Sequence, residues 1–220
     1  EDEIRSRIRS KFGESIRGEL SRRIGKMVGE ALRKNVEYRA PEILAILDPF
    51  TDRLDVHVNP LCLAGRYVKA QTGLPQTTRL CPSCRGSGCE QCKGSGKRLE
   101  DSVESLLATP VLEASGGEAG VLHAAVREGL DTLVSGRGRP FILEVKRPKN
   151  RQLDLETLAK AVNETYGGSV SVRELRFSTR DEVKRLKRSE KTEETYTAFV
   201  QAVGEVAAER LEALEEAFKG

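Results

Sequence analysis

Two cysteine units stand back to back in this chain: Cys-Pro-Ser-Cys-Arg-Gly-Ser-Gly at 81–88 and Cys-Glu-Gln-Cys-Lys-Gly-Ser-Gly at 89–96. Two thiolates spaced C-x-x-C can face one cation, and the glycines behind them let the backbone turn its N–H groups toward sulfur. Cys81, Cys84, Cys89 and Cys92 are therefore candidate ligands for a structural Zn2+, since four thiolates leave a tetrahedral ion no position for water. Only four residues separate Cys84 from Cys89, shorter than the usual gap between paired knuckles, so each knuckle pairing elsewhere stays open. Cys62, in an apolar stretch, reads as a small buried side chain. The other stretch with chemistry in it is 123–141, which mixes arginines, carboxylates and glycines in a pattern that suits neither a helix nor a strand. His123 in that stretch stands beside Leu122 and Ala124 and reads as packing rather than acid-base chemistry.

The elements that must position these residues are legible in outline. Ile4, Ile8, Phe12, Ile16, Leu20 and Ile24 recur every four positions, the spacing of an amphipathic helix or helix pair, with Gly13, Gly18, Gly25 and Gly29 marking breaks or close packing. Two apolar stretches flank the turn-forming Asp48 to Asp52 and predict a hairpin whose second strand turns His57 to solvent. Arg66, Tyr67 and Lys69 precede a Gly-Leu-Pro breaker, and an arginine beside a tyrosine can grip a phosphate and stack on a base. From Glu100 onward, a helix begun near Asp101 or Ser102, the 123–141 loop, a strand at Pro140–Val145, a helix at 154–166 and a strand at 169–177 alternate, which predicts an α+β fold. The last stretch reads as an acidic helix.

With 220 residues the chain can bury a real core, so metal is not needed to hold the whole fold together. Apolar residues make up 38% and charged residues 32%, and no run approaches the length of a membrane span, so the chain reads as intracellular. A net charge of +3 does not argue for nucleic acid by itself, but basic residues cluster in Arg5 to Lys34, Arg137 to Arg151 and Arg176 to Lys191.

Several segments, taken in order, resemble one family: the archaeal and eukaryotic tRNA pseudouridine synthases that act on uridines 54 and 55 of the T-loop. They are "DPFTDRLDVHVNPLCLAGRYVKAQTGLPQT", the cysteine knuckles, "SVESLLATPVLEASGGE", "HAAVREGLDTLVSGRGRPFILEVKRP" and "VRELRFSTRDEVKRLK". The resemblance implies a THUMP-type RNA-binding part at 1–75, a zinc knuckle insert at 76–98, and at 99–220 the start of a mixed helix-sheet catalytic domain that is incomplete at its C-terminal end. It implies a cytoplasmic protein that takes tRNA as partner, needs no organic cofactor and does not enter a membrane. Arg127, Arg137, Arg139, Lys146 and Arg147 would line the RNA side, with Arg66, Tyr67 and Lys69 as further contacts. It also implies a piece of a longer protein or a reduced homologue.

In that family the active-site loop reads Gly-Arg-Glu-Asp-x-Asp-Val-Arg and the first aspartate does the chemistry. Here Arg127 and Glu128 match, Gly129 stands at the first aspartate, Asp131 at the second and Leu133 at the second arginine. Two readings follow. Asp131 carries the chemistry after a shift of the loop, or the chain binds tRNA without isomerising it. In an extended segment, two residues displace a carboxylate by about 6 to 7 Å, too far for catalysis unless the backbone compensates. The C-x-x-C-x-G-x-G units also resemble the cysteine-rich region of J-domain chaperones, but those carry four units, and this chain has two and no His-Pro-Asp motif.

Overall fold

A computed structural model of the chain describes residues 2–7, 14–188, 195–197, 199, 203–204 and 207–217. The chain divides into two compact units, Glu1–Arg188 and Ser189–Gly220.

The first unit is built on a four-stranded antiparallel sheet. Its strands are β3 (Leu61–Lys69), β4 (Ala119–Ala124), β5 (Val134–Lys146) and β6 (Val170–Ser178), in the order β4-β5-β3-β6. A domain boundary at residue 75 would separate β3 from the strands on either side of it. The structure instead seats β3 in the middle of the sheet, because its alternate residues feed two different cores. Leu61, Leu63 and Tyr67 point to the larger one, with Leu143 and Val145 of β5 and Val170 and Val172 of β6. Cys62 and Ala64 point to the other face, where they meet Ile142 and Val183.

The larger core is closed by α3 (Val103–Ser115) and α4 (Leu155–Tyr166). Ser102 caps α3 in a reciprocal box with Ser105, as the start expected near Asp101 or Ser102 requires. Asp154 caps α4 by accepting from the N–H groups of Glu156 and Thr157. α3 lies close on β4: a Cβ on Gly120 would stand 2.7 Å from the Ala108 Cβ, so only glycine fits there. The opposite face is covered by α5 (Arg180–Arg188) through Val183 and Leu186. There the Glu144 carboxylate lies 2.8 Å from His123 Nε2 and 3.7 Å from Arg180, so His123 forms a polar pair with the neighbouring strand.

The N-terminal region contributes α1 (Asp2–Arg7), α2 (Ile16–Leu32) and a hairpin of β1 (Ile43–Asp48) with β2 (Arg53–Val58). The helical spacing read from the sequence is met by two helices, with Ile8 and Phe12 outside the described residues. Gly25 and Gly29 do not break α2. They admit Val36 and the backbone of Lys34, which fold back on the helix. The hairpin turns at Asp48–Asp52 as expected, and His57 is exposed. Arg151, from the basic link ahead of α4, donates to the carbonyls of Glu42 and Asn59 and so ties the base of the hairpin down.

In the second unit the described helix is α6 (Ala208–Ala217), within the stretch read as an acidic helix. The other residues of that stretch lie mostly outside the described set.

Candidate functional site

β4 and β5 are joined by residues 125–133, a shorter loop than the 123–141 stretch suggested, because His123 and Ala124 end β4 and Val134 begins β5. A buried network holds the loop in place. The Glu128 side chain is fully buried; its Oε2 accepts from the Tyr67 hydroxyl at 2.8 Å and from Arg139 at 3.1 Å. Its Oε1 accepts no hydrogen bond and is answered by the Lys69 ammonium at 3.5 Å. Gln76 donates to the Tyr67 hydroxyl at 3.0 Å and to the Val126 carbonyl at 3.1 Å, which fixes the start of the loop. Lys69 also donates to the carbonyls of Leu74, Gly129 and Leu130 at 2.8, 3.3 and 3.2 Å. Burial first, and then the Glu128 carboxylate, hold the Tyr67 phenol well above its usual pKa, so it stays a donor.

Above this network the backbone from Gly129 to Thr132 turns back on itself, with the Thr132 N–H directed to the Gly129 carbonyl at 3.4 Å. Asp131 sits in that turn with its side chain exposed. The segment is therefore a turn and not extended, so the distance of about 6 to 7 Å that two residues span in a strand is not the measure of where Asp131 stands relative to position 129. A Cβ at position 129 would stand 3.3 Å from Thr132 Oγ1, a close contact that requires the Thr132 side chain to shift by a few tenths of an ångström.

The residues expected to touch RNA fall into three groups. Tyr67 and Lys69 are 0% exposed and Arg139 is 7% exposed, so these three lie beneath the loop rather than on a surface that a base could stack on. Arg127 and Arg137 are exposed and Arg66 is half-buried, all near the loop end of the sheet. Lys146 and Arg147 lie at the far end of β5, nine and ten residues beyond Arg137 and therefore about 30 Å away along the strand. Arg147 pairs there with Glu118 at 3.4 Å. The basic residues of 137–151 are thus not one patch. Sequence reading missed Gln76, which carries no motif, and the inward role of Glu128.

The four cysteines converge. Their sulfur atoms lie within 4.8 Å of one another, with Cys81–Cys89, Cys84–Cys92 and Cys89–Cys92 separations of 3.8, 3.7 and 3.6 Å. Four thiolates about 2.3 Å from a tetrahedral ion would stand about 3.8 Å apart, so the set could hold one metal ion. This convergence favours one shared site over the alternative in which each knuckle pairs elsewhere. The two units share a backbone as well as a sequence: Arg85 and Lys93 take φ of 51° and 50°, and Gly88 and Gly96 take 86° and 69°. Those glycines are where the units interlock. A Cβ on Gly88 would lie 2.8 Å from the Gly94 carbonyl oxygen, and one on Gly96 would lie 2.5 Å from that of Gly86. Burial pushes the Cys92 thiol up, but N–H groups of Cys89 and Gly96 at 3.2 Å and the neighbouring thiols outweigh it and bring it to about 6, which favours the ligating thiolate.

Residues 62–219 match the family model for the C-terminal part of Pus10, and residues 1–48 match that for the archaeal Pus10 THUMP domain. Among curated relatives, the tRNA pseudouridine synthase Pus10 of Methanothermobacter marburgensis is 40% identical over 204 residues, 92% of this chain and 51% of its own length. That of Methanothrix thermoacetophila is 36% identical over 92% of this chain and 44% of its own. That of Methanocaldococcus jannaschii is 38% identical over 86% and 41%. The chain spans about half the length of these relatives or less. With one family model covering the four-stranded sheet and the loop it carries, the chain belongs to the Pus10 family.

Proposed function

We propose that this chain is part of a tRNA pseudouridine synthase, that it acts in the cytoplasm on uridines 54 and 55 of the T-loop, and that Asp131 is its catalytic residue. The reaction breaks the C1′–N1 bond of a uridine, turns the base and joins C1′ to C5. The C5 proton is lost and N1 is protonated, so neither redox chemistry nor an organic cofactor is required. The base must leave the stack to reach the enzyme. Asp131 supplies the carboxylate as nucleophile or base, and the buried ions beneath it hold the turn without taking part in bond changes. The observation that carries this reading is the Gly129–Thr132 turn, fixed from below by Lys69 and Glu128, which presents an exposed carboxylate in a loop that family members use for catalysis.

The four thiolates take Zn2+ in this reading. The ion would tie the two knuckles together and supply no open position for substrate. We place the start of the catalytic part near residue 60, ahead of β3, with the hairpin and helices before it as the end of the THUMP part.

The second reading, tRNA binding without isomerisation, is favoured by Gly129, which has no side chain where the family carries its first aspartate. Two variants separate the readings. If Asp131 is catalytic, Asp131→Ala abolishes pseudouridine formation on a tRNA transcript and Gly129→Asp adds nothing. An inactive parent chain that gains activity with Gly129→Asp would establish the second reading instead.

A further inference from the structure

β5 is interrupted just past the loop. Between the pairs Tyr67↔Arg139 and Lys69↔Val134, one residue of β3, Val68, faces four residues of β5, Ser135–Gly138. Gly136 and Gly138 take φ of 60° and 77°, and a Cβ on Gly138 would stand 2.7 Å from the Tyr67 carbonyl oxygen, so the bulge depends on glycine. Arg137, between the two glycines, is lifted out of the sheet and exposed.

Two more arginines are anchored to the same three residues. Arg66 donates from Nε to the Arg137 carbonyl at 2.9 Å and from Nη2 to the Gly138 carbonyl at 2.7 Å. Arg173 donates from Nη1 to the Gly136 carbonyl at 3.3 Å. Arg66 and Arg173 are direct cross-strand partners on the face away from α3 and α4. Like charges in that position repel. Among the described residues none of the three arginines forms an ion pair, whereas Arg139 two positions on is paired with Glu128 and Arg176 with Glu182. The carbonyl bonds fix the guanidinium groups of Arg66 and Arg173 but use only three of their donors, leaving the cluster's charge without an ion-pair partner among the described residues.

We propose that the Ser135–Gly138 bulge presents Arg137, with Arg66 and Arg173 anchored to it, as a clamp for consecutive phosphates of an RNA strand lying beside the 125–133 loop. Planar guanidinium groups held in fixed positions suit the oxygens of a phosphodiester, and such contacts set the register of a strand without reading its sequence. The clamp would fix how far the backbone stands from Asp131. This inference rests on the chain being a tRNA-binding protein, not on its being catalytic.

The test is binding of an unmodified tRNA transcript to the full chain as salt is raised, for the parent, Arg137→Ala, Arg173→Ala and the control Lys160→Ala, whose side chain pairs with Glu164 on α4. Arg137→Ala removes a side chain without a bonding partner among the described residues, so the sheet is retained, and an unchanged thermal transition verifies it. Each of the two arginine variants is expected to bind roughly three- to tenfold more weakly and to lower the slope of log K against log salt by about 0.7 to 0.9. Lys160→Ala is expected to match the parent. The proposal is overturned by unchanged slopes in both arginine variants, by equal weakening in all three variants, or by a parent chain that shows no salt-sensitive binding. Pseudouridine is assayed on the same samples: reduced slopes without product leave the clamp standing and remove the catalytic reading.

Discussion

Glu128 places one negative charge between two buried cations, Lys69 and Arg139. Removing that charge leaves the buried Lys69 ammonium without a counter-charge among the described residues and takes one partner from Arg139, a change that typically costs about 3 to 5 kcal/mol. Glu128→Gln is therefore expected to lower the unfolding midpoint sharply, and Tyr67→Phe, which strips one hydroxyl from the same network, to lower the unfolding free energy by about 1 to 3 kcal/mol. Denaturant titration checks both, and a Glu128→Gln variant as stable as the parent would mean the network does not hold the loop. Cys62 gives a prediction in pH. Burial, reinforced by Glu144, raises its thiol from 9.0 to about 11 in the folded chain. A raised pKa means the native state keeps its proton where the unfolded state has lost it, so the stabilisation is complete below pH 9 and disappears as pH climbs toward 11. Cys62→Ala should flatten that part of the pH-stability curve; an unaltered curve would place the alkaline sensitivity elsewhere. Sequence placed Cys62 in the interior correctly, since its neighbours Leu61 and Leu63 are apolar. It could not do so for Tyr67, Lys69 and Arg139, because polar residues give no sign of their direction until the strand's facing is known.

At the scale of elements, the cysteine knuckles were the most legible part of the chain. A doubled eight-residue motif with fixed cysteine and glycine positions leaves few ways to fold. The interlock of Gly88 with Gly94 and of Gly96 with Gly86 was not legible, because it depends on two backbones meeting. Gly96→Ala puts a methyl group 2.5 Å from a carbonyl oxygen at a φ of 69°, and is expected to weaken metal binding at least tenfold. A competition titration with a chromogenic chelator measures this, and parental affinity would show that the interlock does not shape the site. Chelation itself should stay local. No residue between 75 and 102 belongs to the larger core, so stripping the metal should alter the knuckle while the main thermal transition persists. Cooperative loss of the whole fold on chelation would contradict that division. The arginine bulge shows the opposite case. Gly-Arg-Gly-Arg-Pro announced a backbone irregularity, but which arginine turns in and which turns out follows from the register slip between β3 and β5.

For the molecule as a whole, the alternation of helix and strand was enough to predict an α+β fold, and the hairpin, α3, α4 and β6 lie where the periodicities put them. A division at residue 75 would part β3 from its neighbours in the sheet: a strand buried on both faces reads as an apolar run wherever it pairs, and sequence order does not reveal that β3 pairs with residues 65 to 116 positions further on. The sheet, its loop and the buried ions then form a single assembly whose purpose, in our account, is to hold one carboxylate at the edge of an RNA-binding surface. The most direct measurement is to incubate the metal-loaded chain with an unmodified tRNA transcript and map pseudouridine at every uridine, in parallel with Asp131→Ala. Pseudouridine confined to the T-loop and absent with Asp131→Ala is the result predicted. Intact, salt-sensitive tRNA binding with no pseudouridine at any position would contradict it.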